Sequence, residues 1–172
     1  MKVSMKLDDL KTIFTACKSF VSKEEYKPML TTVSLNFYNG QCTAYALDGI
    51  KLISVVVPYD GGDEGTLNVP IIKLPKGTYV TISDEGNEIV FDFLESKQAV
   101  RKVEGEYPKN PEQFFNKQDA SFSIGFDPKN LKDALDGFKD HKTIRFDFYK
   151  ETEAALITGT NKKALVFPVR LK

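Results

Sequence analysis

Two stretches of the chain carry the three- and four-residue apolar spacing of an amphipathic helix, and most of the rest reads as strands and turns. The first is residues 8–21, where Asp8 or Asp9 can cap the start of a helix. The second begins at Asp127-Pro128, an N-cap followed by proline at the first helical position, and continues to about Lys139. Their core-facing positions are predicted to be Leu10, Ile13, Phe14, Cys17, Phe20 and Val21 in the first helix, and Leu131, Ala134, Leu135 and Phe138 in the second.

Strands are predicted on both sides of each helix. Asn39-Gly40 and Asp48-Gly49 are hairpin signals, because these residue types tolerate positive φ. Two prolines and a glycine in residues 70–77 leave no room for a regular helix there. A β-α-β-β-β pattern therefore occurs twice around a helix-free β block, which predicts an α+β protein with two helices on one side of antiparallel sheets. The predicted strands are 2–6, 29–38, 41–47, 51–58, 66–69, 78–83, 88–94, 97–104, 120–126, 142–149, 153–158 and 164–171.

Charge and hydropathy restrict the class of protein. The 172 residues include 24 basic and 24 acidic side chains, and this zero net charge argues against nucleic-acid binding by bulk electrostatics. It leaves room for a small basic face balanced by acids elsewhere. The charged N-terminus has no apolar signal core, and no apolar run approaches membrane-spanning length. We therefore expect a soluble, cytoplasmic protein.

The sequence offers little for catalysis or metal binding. Cys17 and Cys42 fall at apolar positions of a helix and a strand and are interpreted as core residues, and His141 is the sole histidine. With no phosphate-binding glycine loop and no catalytic triad candidate, we predict a protein that is not an enzyme and uses no cofactor or metal. The acidic residues around Gly61-Gly62 are interpreted as a turn, since their spacing fits no calcium-binding EF-hand loop.

Several short motifs, taken in order, resemble those of the bacterial sliding clamp, the beta subunit of DNA polymerase III. Residues 27–33, Lys-Pro-Met-Leu-Thr-Thr-Val, resemble the family's Arg-Pro-x-Leu-x-x-Val, and residues 46–52 resemble Ala-Thr-Asp-Gly-x-Arg-Leu. Val69-Pro70 and residues 103–108 match two later segments, the second of which usually reads Val-x-Gly-x-Phe-Pro. Residues 124–127 and 167–171 resemble the Gly-Phe-Asn start and the Met-Pro-Met-Arg-Leu end of the last half-domain.

The resemblance implies a DNA-clamp-like fold of repeated β-α-β-β-β units, with an unusual domain plan. Residues 1–106 resemble the middle clamp domain, 107–118 form a connector and 119–172 resemble the end of the last domain. We expect Phe114 and Phe115 to hold the connector against the core. Leu47 and Lys51 replace the family's threonine and arginine, and the helix expected after Val69-Pro70 is absent. These departures fit a shortened clamp of phage or mobile-element origin.

By the resemblance, nine residues occupy the positions at which the family binds short linear peptides of polymerases and repair proteins. Such a groove would hold one or two aliphatic or aromatic anchors between apolar walls. The alternative is that Leu52, Val166 and Val169 are ordinary sheet core and that Asp48-Gly49 is only a turn. The nine residues are Gly49, Lys51, Leu52, Pro108, Val166, Phe167, Pro168, Val169 and Arg170.

Paired lysines mark the outer face of each predicted helix. Lys11 and Lys18 are two turns apart on the first, as are Lys132 and Lys139 on the second. In a ring with its helices inward, these side chains would contact DNA phosphates weakly and without sequence preference. The alternative is an ordinary solvated helix face, on which lysine is common.

Three functions remain open from the sequence. The first is a processivity factor that assembles as a homo-oligomer around duplex DNA and tethers a polymerase or repair protein through the peptide pocket. The second is a clamp mimic that binds clamp-interacting peptides without forming a ring. The third is an unrelated β-rich binding or structural protein whose motifs match by chance.

Overall fold

A computed structural model describes residues 1–24, 26–117 and 119–171. The chain divides into two units, Met1–Phe115 and Asn116–Lys172, and each is described by itself. Within the described ranges, neither helix combines the length and apolar character that crossing a membrane requires.

The first unit contains one α-helix and two antiparallel sheets. The four-stranded sheet has the order β4-β3-β2-β6, and the five-stranded sheet has the order β5-β1-β7-β8-β9. Short 3-10 helices at Pro28–Thr31 and Pro111–Phe115 complete the unit. The elements in chain order are β1 (Lys2–Lys6), α1 (Leu7–Cys17), β2 (Thr32–Tyr38), β3 (Gln41–Leu47), β4 (Leu52–Pro58), β5 (Gly61–Gly62), β6 (Gly65–Pro70), β7 (Tyr79–Asp84), β8 (Glu88–Asp92) and β9 (Lys97–Arg101).

The core of the first unit lies between α1 and one face of each sheet. Alternate strand residues point into it, as Val33, Leu35 and Phe37 of β2 do, because successive side chains of a strand face opposite ways. The helix contributes five buried side chains at the predicted spacing, which are Leu7, Leu10, Ile13, Phe14 and Cys17. Cys42 also lies in this core, so both cysteines are core residues as expected.

The predicted helix over residues 8–21 is too long at its C-terminal end. α1 ends at Cys17, and the N–H of Phe20 already donates to Cys17 O in a tighter turn (2.8 Å). The N–H of Ser22 donates to Leu30 O (2.7 Å), so the chain has turned away from the helix axis. Serine and β-branched valine favour the helix weakly, and this long-range hydrogen bond ends it.

Both predicted hairpin turns are confirmed. Asn39 and Gly40 adopt φ of 49° and 73° between paired β2 and β3. The Asp48 carboxylate accepts from the N–H groups of Ile50 and Lys51, each at 3.0 Å, and so shapes the turn from β3 to β4. Residues 71–77 contain no regular helix, as their prolines predict.

Two predictions near these strands are wrong. Residues 29–31 belong to a 3-10 helix, so β2 begins at Thr32. Gly61-Gly62, predicted as part of a turn, forms the edge strand β5 against β1. Gly62 approaches β1 so closely that a Cβ would lie 2.3 Å from Lys2 O, a contact that only glycine permits.

The second unit packs α2 (Pro128–Asp136) on a three-stranded antiparallel sheet with the order β10-β11-β12. The Asp127 side chain accepts from the N–H of Asn130 (2.9 Å), which confirms the predicted N-cap. Phe138, Ile157 and Val166 form a small core. Leu131, Ala134 and Leu135 pack against it as predicted, although α2 ends three residues before Lys139. The strands are β10 (Arg145–Asp147), β11 (Ala155–Thr158) and β12 (Lys163–Val166).

The predicted strand 120–126 is wrong, and the predicted strand 164–171 is too long. Residues 120–126 pair only through an isolated bridge between Gly125 and Val169. Phe122 is 40% exposed, so the alternating pattern there has no core to face. β12 ends at Val166, before Pro168, which has no N–H to donate to a neighbouring strand.

The connector is held to the first unit by residues other than those predicted. Phe114 and Phe115 are 55% and 49% exposed, which contradicts their expected anchoring role. Tyr107 and Pro111 are buried instead, and the Tyr107 hydroxyl donates to Tyr45 O (3.2 Å). Tyrosine can fill an apolar site and still satisfy a backbone carbonyl, which phenylalanine cannot do.

Candidate functional site

Two residues of the predicted peptide pocket line a cleft of about 480 Å³ in the first unit, which we call the Met29 cleft. They are Gly49, at the turn between β3 and β4, and Pro108, at the start of the connector. The cleft is small, largely apolar and flanked by charged side chains, a combination suited to a short peptide. Its lining residues are Lys27, Pro28, Met29, Leu30, Leu47, Gly49, Glu104, Gly105, Glu106 and Pro108.

The wall of the Met29 cleft depends on one glycine. Gly105 has φ of 121°, and a Cβ at this position would lie 2.7 Å from Met29 Cγ. On the other side of Met29, its carbonyl accepts from the Thr32 hydroxyl (2.6 Å) and Leu30 O accepts from Ser22. Met29 is therefore fixed by its own 3-10 helix, and its side chain faces the backbone of Gly105.

An apolar cluster of Met29, Tyr45 and Tyr107 lies behind this wall, and Leu52 packs against it. Leu52 therefore supports the cleft from behind and is half-buried rather than part of its lining. Burial raises the pKa of the Tyr107 phenol well above its ordinary value, so the hydroxyl stays protonated and keeps donating to Tyr45 O at neutral pH.

Lys51, also predicted for the pocket, lines a neighbouring cleft instead. Its ammonium lies 3.5 Å from Asp48 Oδ2 and 5.4 Å from the centre of the Phe20 ring. The N–H groups of Ile50 and Lys51 hold the pKa of Asp48 below its ordinary value, and the Lys51 charge adds to this effect. The Asp48 turn therefore remains ionised and ordered at neutral pH.

The predicted tail residues lie in the second unit. Val166 is 4% exposed in the core, whereas Phe167 is 72% exposed. Pro168, Val169 and Arg170 line a cleft of about 530 Å³, in which the N–H of Val169 donates to Gly125 O (2.8 Å). Because these residues and Gly49, Lys51, Leu52 and Pro108 belong to different units, their joint pocket remains a prediction.

The predicted DNA-facing lysines are all exposed, but two of them lie beyond the ends of the helices. Lys11 lies on α1, and Lys18 follows its last residue in helical conformation, so the two share a face. Lys132 lies on α2, whereas Lys139 lies beyond its end and is 3.2 Å from Asp136 Oδ1. The expected alignment of Lys132 and Lys139 on one helix is therefore wrong, because Gly137 ends α2 early.

No protein-family model and no curated protein matches the chain at the level of sequence. Solved structures match over nearly its whole length. The beta chain of DNA polymerase III from Streptococcus pneumoniae superimposes with a TM-score of 0.83 at 16% identity, over 99% of this chain and 50% of that one. The chain has the sliding-clamp fold.

Two further solved clamps support this assignment. The beta subunit from the DNA polymerase of Streptococcus pyogenes matches with a TM-score of 0.82 at 16% identity, covering 99% of this chain and 50% of that one. The DNA polymerase sliding clamp from Bacillus subtilis matches at 0.79 and 16%, covering 98% and 49%. The resemblance seen in the sequence motifs is thus confirmed for the fold, and the chain spans about half the length of these clamps.

In this clamp-fold chain, the structure also places together lysines that the sequence analysis did not single out. Lys73 and Lys76, in the segment after β6, line a cleft of about 810 Å³ with Lys11 and Lys18. We call this the lysine cleft. The only signal in the sequence was the helix-free segment between Pro70 and Gly77, since a loop's neighbours in space cannot be inferred from its spacing.

Proposed function

We propose that this protein is a sliding-clamp-like processivity factor. It assembles as a homo-oligomer into a closed ring around duplex DNA and tethers a polymerase or repair protein through a short linear peptide. It has no enzymatic activity of its own, and it works in the cytoplasm as a clamp-like protein carried by a phage or mobile element. The observation that carries this proposal is the clamp fold, which extends over 99% of the chain.

The DNA-binding part of the proposal is supported by the exposed lysines on and beside the helices. Lys11 on α1 and Lys18 just after it have Lys132 on α2 and Lys139 beyond its end as counterparts. Exposed ammonium groups attract phosphates without reading bases, which suits a ring that must slide. The zero net charge keeps this attraction weak.

The tethering part is supported by the Met29 cleft and by the exposed tail. Gly49 and Pro108 line an apolar cleft, with Leu52 behind it and Lys51 beside it. In the second unit, Phe167, Pro168, Val169 and Arg170 offer apolar and cationic groups close to the surface, and buried Val166 anchors them. The cleft of the first unit would hold an apolar anchor, and the exposed groups of the second unit would orient a peptide backbone.

Retention on circular DNA tests the ring. A closed ring that has been assembled on a nicked circular plasmid should stay bound during gel filtration at 150 mM salt and should be lost when the plasmid is linearised. Release that is equally fast from circular and linear DNA would contradict encirclement. Light scattering after size-exclusion chromatography gives an independent check, because a strict monomer at high concentration contradicts the oligomer.

The alternative function is a clamp mimic that occupies clamp-binding peptides without a ring. The zero net charge favours it, since a peptide-binding protein needs no attraction to DNA. Monomeric behaviour, peptide binding and no retention on circular DNA would together support the mimic and overturn the processivity factor.

A further inference from the structure

The lysine cleft concentrates positive charge on a chain that is neutral overall. It is lined by Lys11 and Lys18, on and just after α1, and by Lys73 and Lys76 of the segment 71–77. Among its described lining residues, Asp8 is the one carboxylate. Four cations and one anion around a single cleft produce a local potential that the overall balance of 24 and 24 charges conceals.

Packing holds the segment that carries Lys73 and Lys76 in place. It follows Pro70, which pairs with Thr32, and at its other end Thr78 O accepts from the N–H of Leu7 (2.8 Å). Between these points three apolar side chains pack against the main core, while both lysines remain exposed. Those three are Ile71, Ile72 and Leu74. This packing fixes which side chains face solvent.

The four lysines differ from the six described lysines that form ion pairs. None of the four has a described carboxylate within ion-pair distance. Unpaired cations that face one another across a cleft repel, and such an arrangement is relieved when an anion binds. The lysines that do pair with a described carboxylate are Lys51, Lys97, Lys102, Lys139, Lys150 and Lys162.

The charged groups of the cleft indicate which class of anion would bind. Leu7 and Phe14 are each 4% exposed, whereas Ile71, Ile72 and Leu74, which also line the cleft, are half-buried. The cleft therefore presents apolar side-chain surface together with separate ammonium groups on two backbone segments. Ammonium groups act as point charges on phosphates without needing a fixed pairing geometry.

We propose that the lysine cleft binds the phosphodiester backbone of duplex DNA, with Lys73 and Lys76 acting alongside Lys11 and Lys18. This inference rests on the proposed function and assigns part of the DNA contact to a loop as well as to the helices. Asp8 opposes phosphate binding at its own position, so the phosphates lie nearer to the four ammonium groups.

The salt dependence of DNA binding tests the inference without requiring a ring. Fluorescence anisotropy of a labelled linear duplex of about 24 base pairs gives the binding constant over a series of NaCl concentrations. Each phosphate contact that is lost makes the slope of log K against log [NaCl] shallower by about 0.9. We expect a change of about 0.9 for Lys73→Gln and for Lys76→Gln, and about 1.8 for the double variant.

Lys109→Gln is the matched control. Lys109 is exposed in the same unit but lines a different cleft with Ser34 and Asn36, on the face of the four-stranded sheet that points away from the main core. The slope of log K against log [NaCl] for Lys109→Gln should equal that of the unmutated protein. Unchanged urea midpoints would show that all the variants are folded.

The outcomes separate the two proposals. If the unmutated protein binds the duplex and the double variant has the same salt slope, this inference is overturned and the proposed function stands. If the unmutated protein binds neither linear nor circular DNA, both fail. If a glutamate-rich peptide binds instead and depends on Lys73 and Lys76, the cleft serves a protein partner and the DNA assignment is overturned.

Discussion

Gly105 shows how a single residue shapes the Met29 cleft. Its positive φ strains any other residue, and the space where a Cβ would lie is already taken by Met29. Gly86 has a similar positive φ of 83° but has nothing within 4 Å of that position. Comparing a substitution at Gly105 with one at Gly86 therefore distinguishes the cost of crowding from the cost of backbone strain.

We predict that Gly105→Ala costs about 2–3 kcal/mol of unfolding free energy and that Gly86→Ala costs about 1 kcal/mol, because only the first must also displace Met29. Urea denaturation of both variants measures the difference. Equal losses would show that Met29 moves aside freely and that the cleft wall is soft.

Phe167 and Val169 are the exposed apolar residues of the predicted pocket in the second unit. The probe is a peptide selected from a library of short linear sequences for binding to the unmutated protein. Replacing both residues with alanine should weaken its binding at least tenfold, which corresponds to about 1.4 kcal/mol, while the circular dichroism spectrum is retained.

Leu165→Ala is the control for this prediction. Leu165 is an equally apolar side chain in β12, is 58% exposed and lies outside the predicted pocket. An equal loss of peptide affinity in the control and in the double variant would mean that the peptide binds exposed apolar residues non-specifically. If the library yields no binding peptide, the predicted peptide pocket is contradicted.

At the scale of elements, a polar clip ties the end of α2 to the turn between β11 and β12. The Lys162 ammonium contacts both Asp140 carboxylate oxygens, at 2.7 and 2.9 Å, and donates to Gly137 O (3.1 Å). Asp140 also pairs with Nδ1 of His141 (2.9 Å). Hydrogen bonds from Lys162 and then His141 lower the pKa of Asp140 to about 2.

This clip predicts an acid-sensitive second unit. Because the folded pKa of Asp140 is depressed, its contribution is fully present above the ordinary value of 3.8 and is lost as the pH falls to about 2. We expect the urea midpoint of the unmutated protein to fall more steeply over this pH range than that of Asp140→Asn. The exposed Asp133→Asn variant is the control, and a profile for Asp140→Asn that matches the unmutated one would contradict the clip.

Elements with local signals were predictable. The apolar spacing of α1 and the Asn39-Gly40 turn depend on neighbours within a few residues, and both are as expected. Residues 120–126 alternate like a strand, but they pair only through the single bridge between Gly125 and Val169. Periodicity describes what a segment can bury and cannot tell whether another element is there to cover it.

At the scale of the whole molecule, the two units differ greatly in their cores. Among the described residues, the first unit has a large buried cluster drawn from α1 and both of its sheets, whereas the core of the second centres on Phe138, Ile157 and Val166. Small units bury too little apolar surface to be stable on their own.

We therefore predict that the second unit opens first. In hydrogen-exchange mass spectrometry, the amides of β10 to β12 should exchange at least tenfold faster than those of β2, β3 and β7, because local opening costs less where fewer apolar side chains are buried. Equal protection of both groups would mean that the chain unfolds as one cooperative body.

The site was less predictable than the fold. Gly49 and Pro108 came from the family motifs, and the structure places both in one cleft. Lys73 and Lys76 were missed because their relation to Lys11 and Lys18 depends on how the segment after β6 folds back over α1. A charge cluster assembled from distant parts of a chain leaves no periodic trace in the sequence.

The buried phenol of Tyr107 makes the first unit less stable at alkaline pH. Above about pH 10, its ordinary pKa, an unfolded tyrosine releases its proton while the folded side chain keeps it, so rising pH favours the open form. Ionisation would place an anion among Met29, Leu52 and Val103 and would remove the donor to Tyr45 O. Strong base should therefore disrupt the apolar cluster behind the Met29 cleft before the paired strands around it separate.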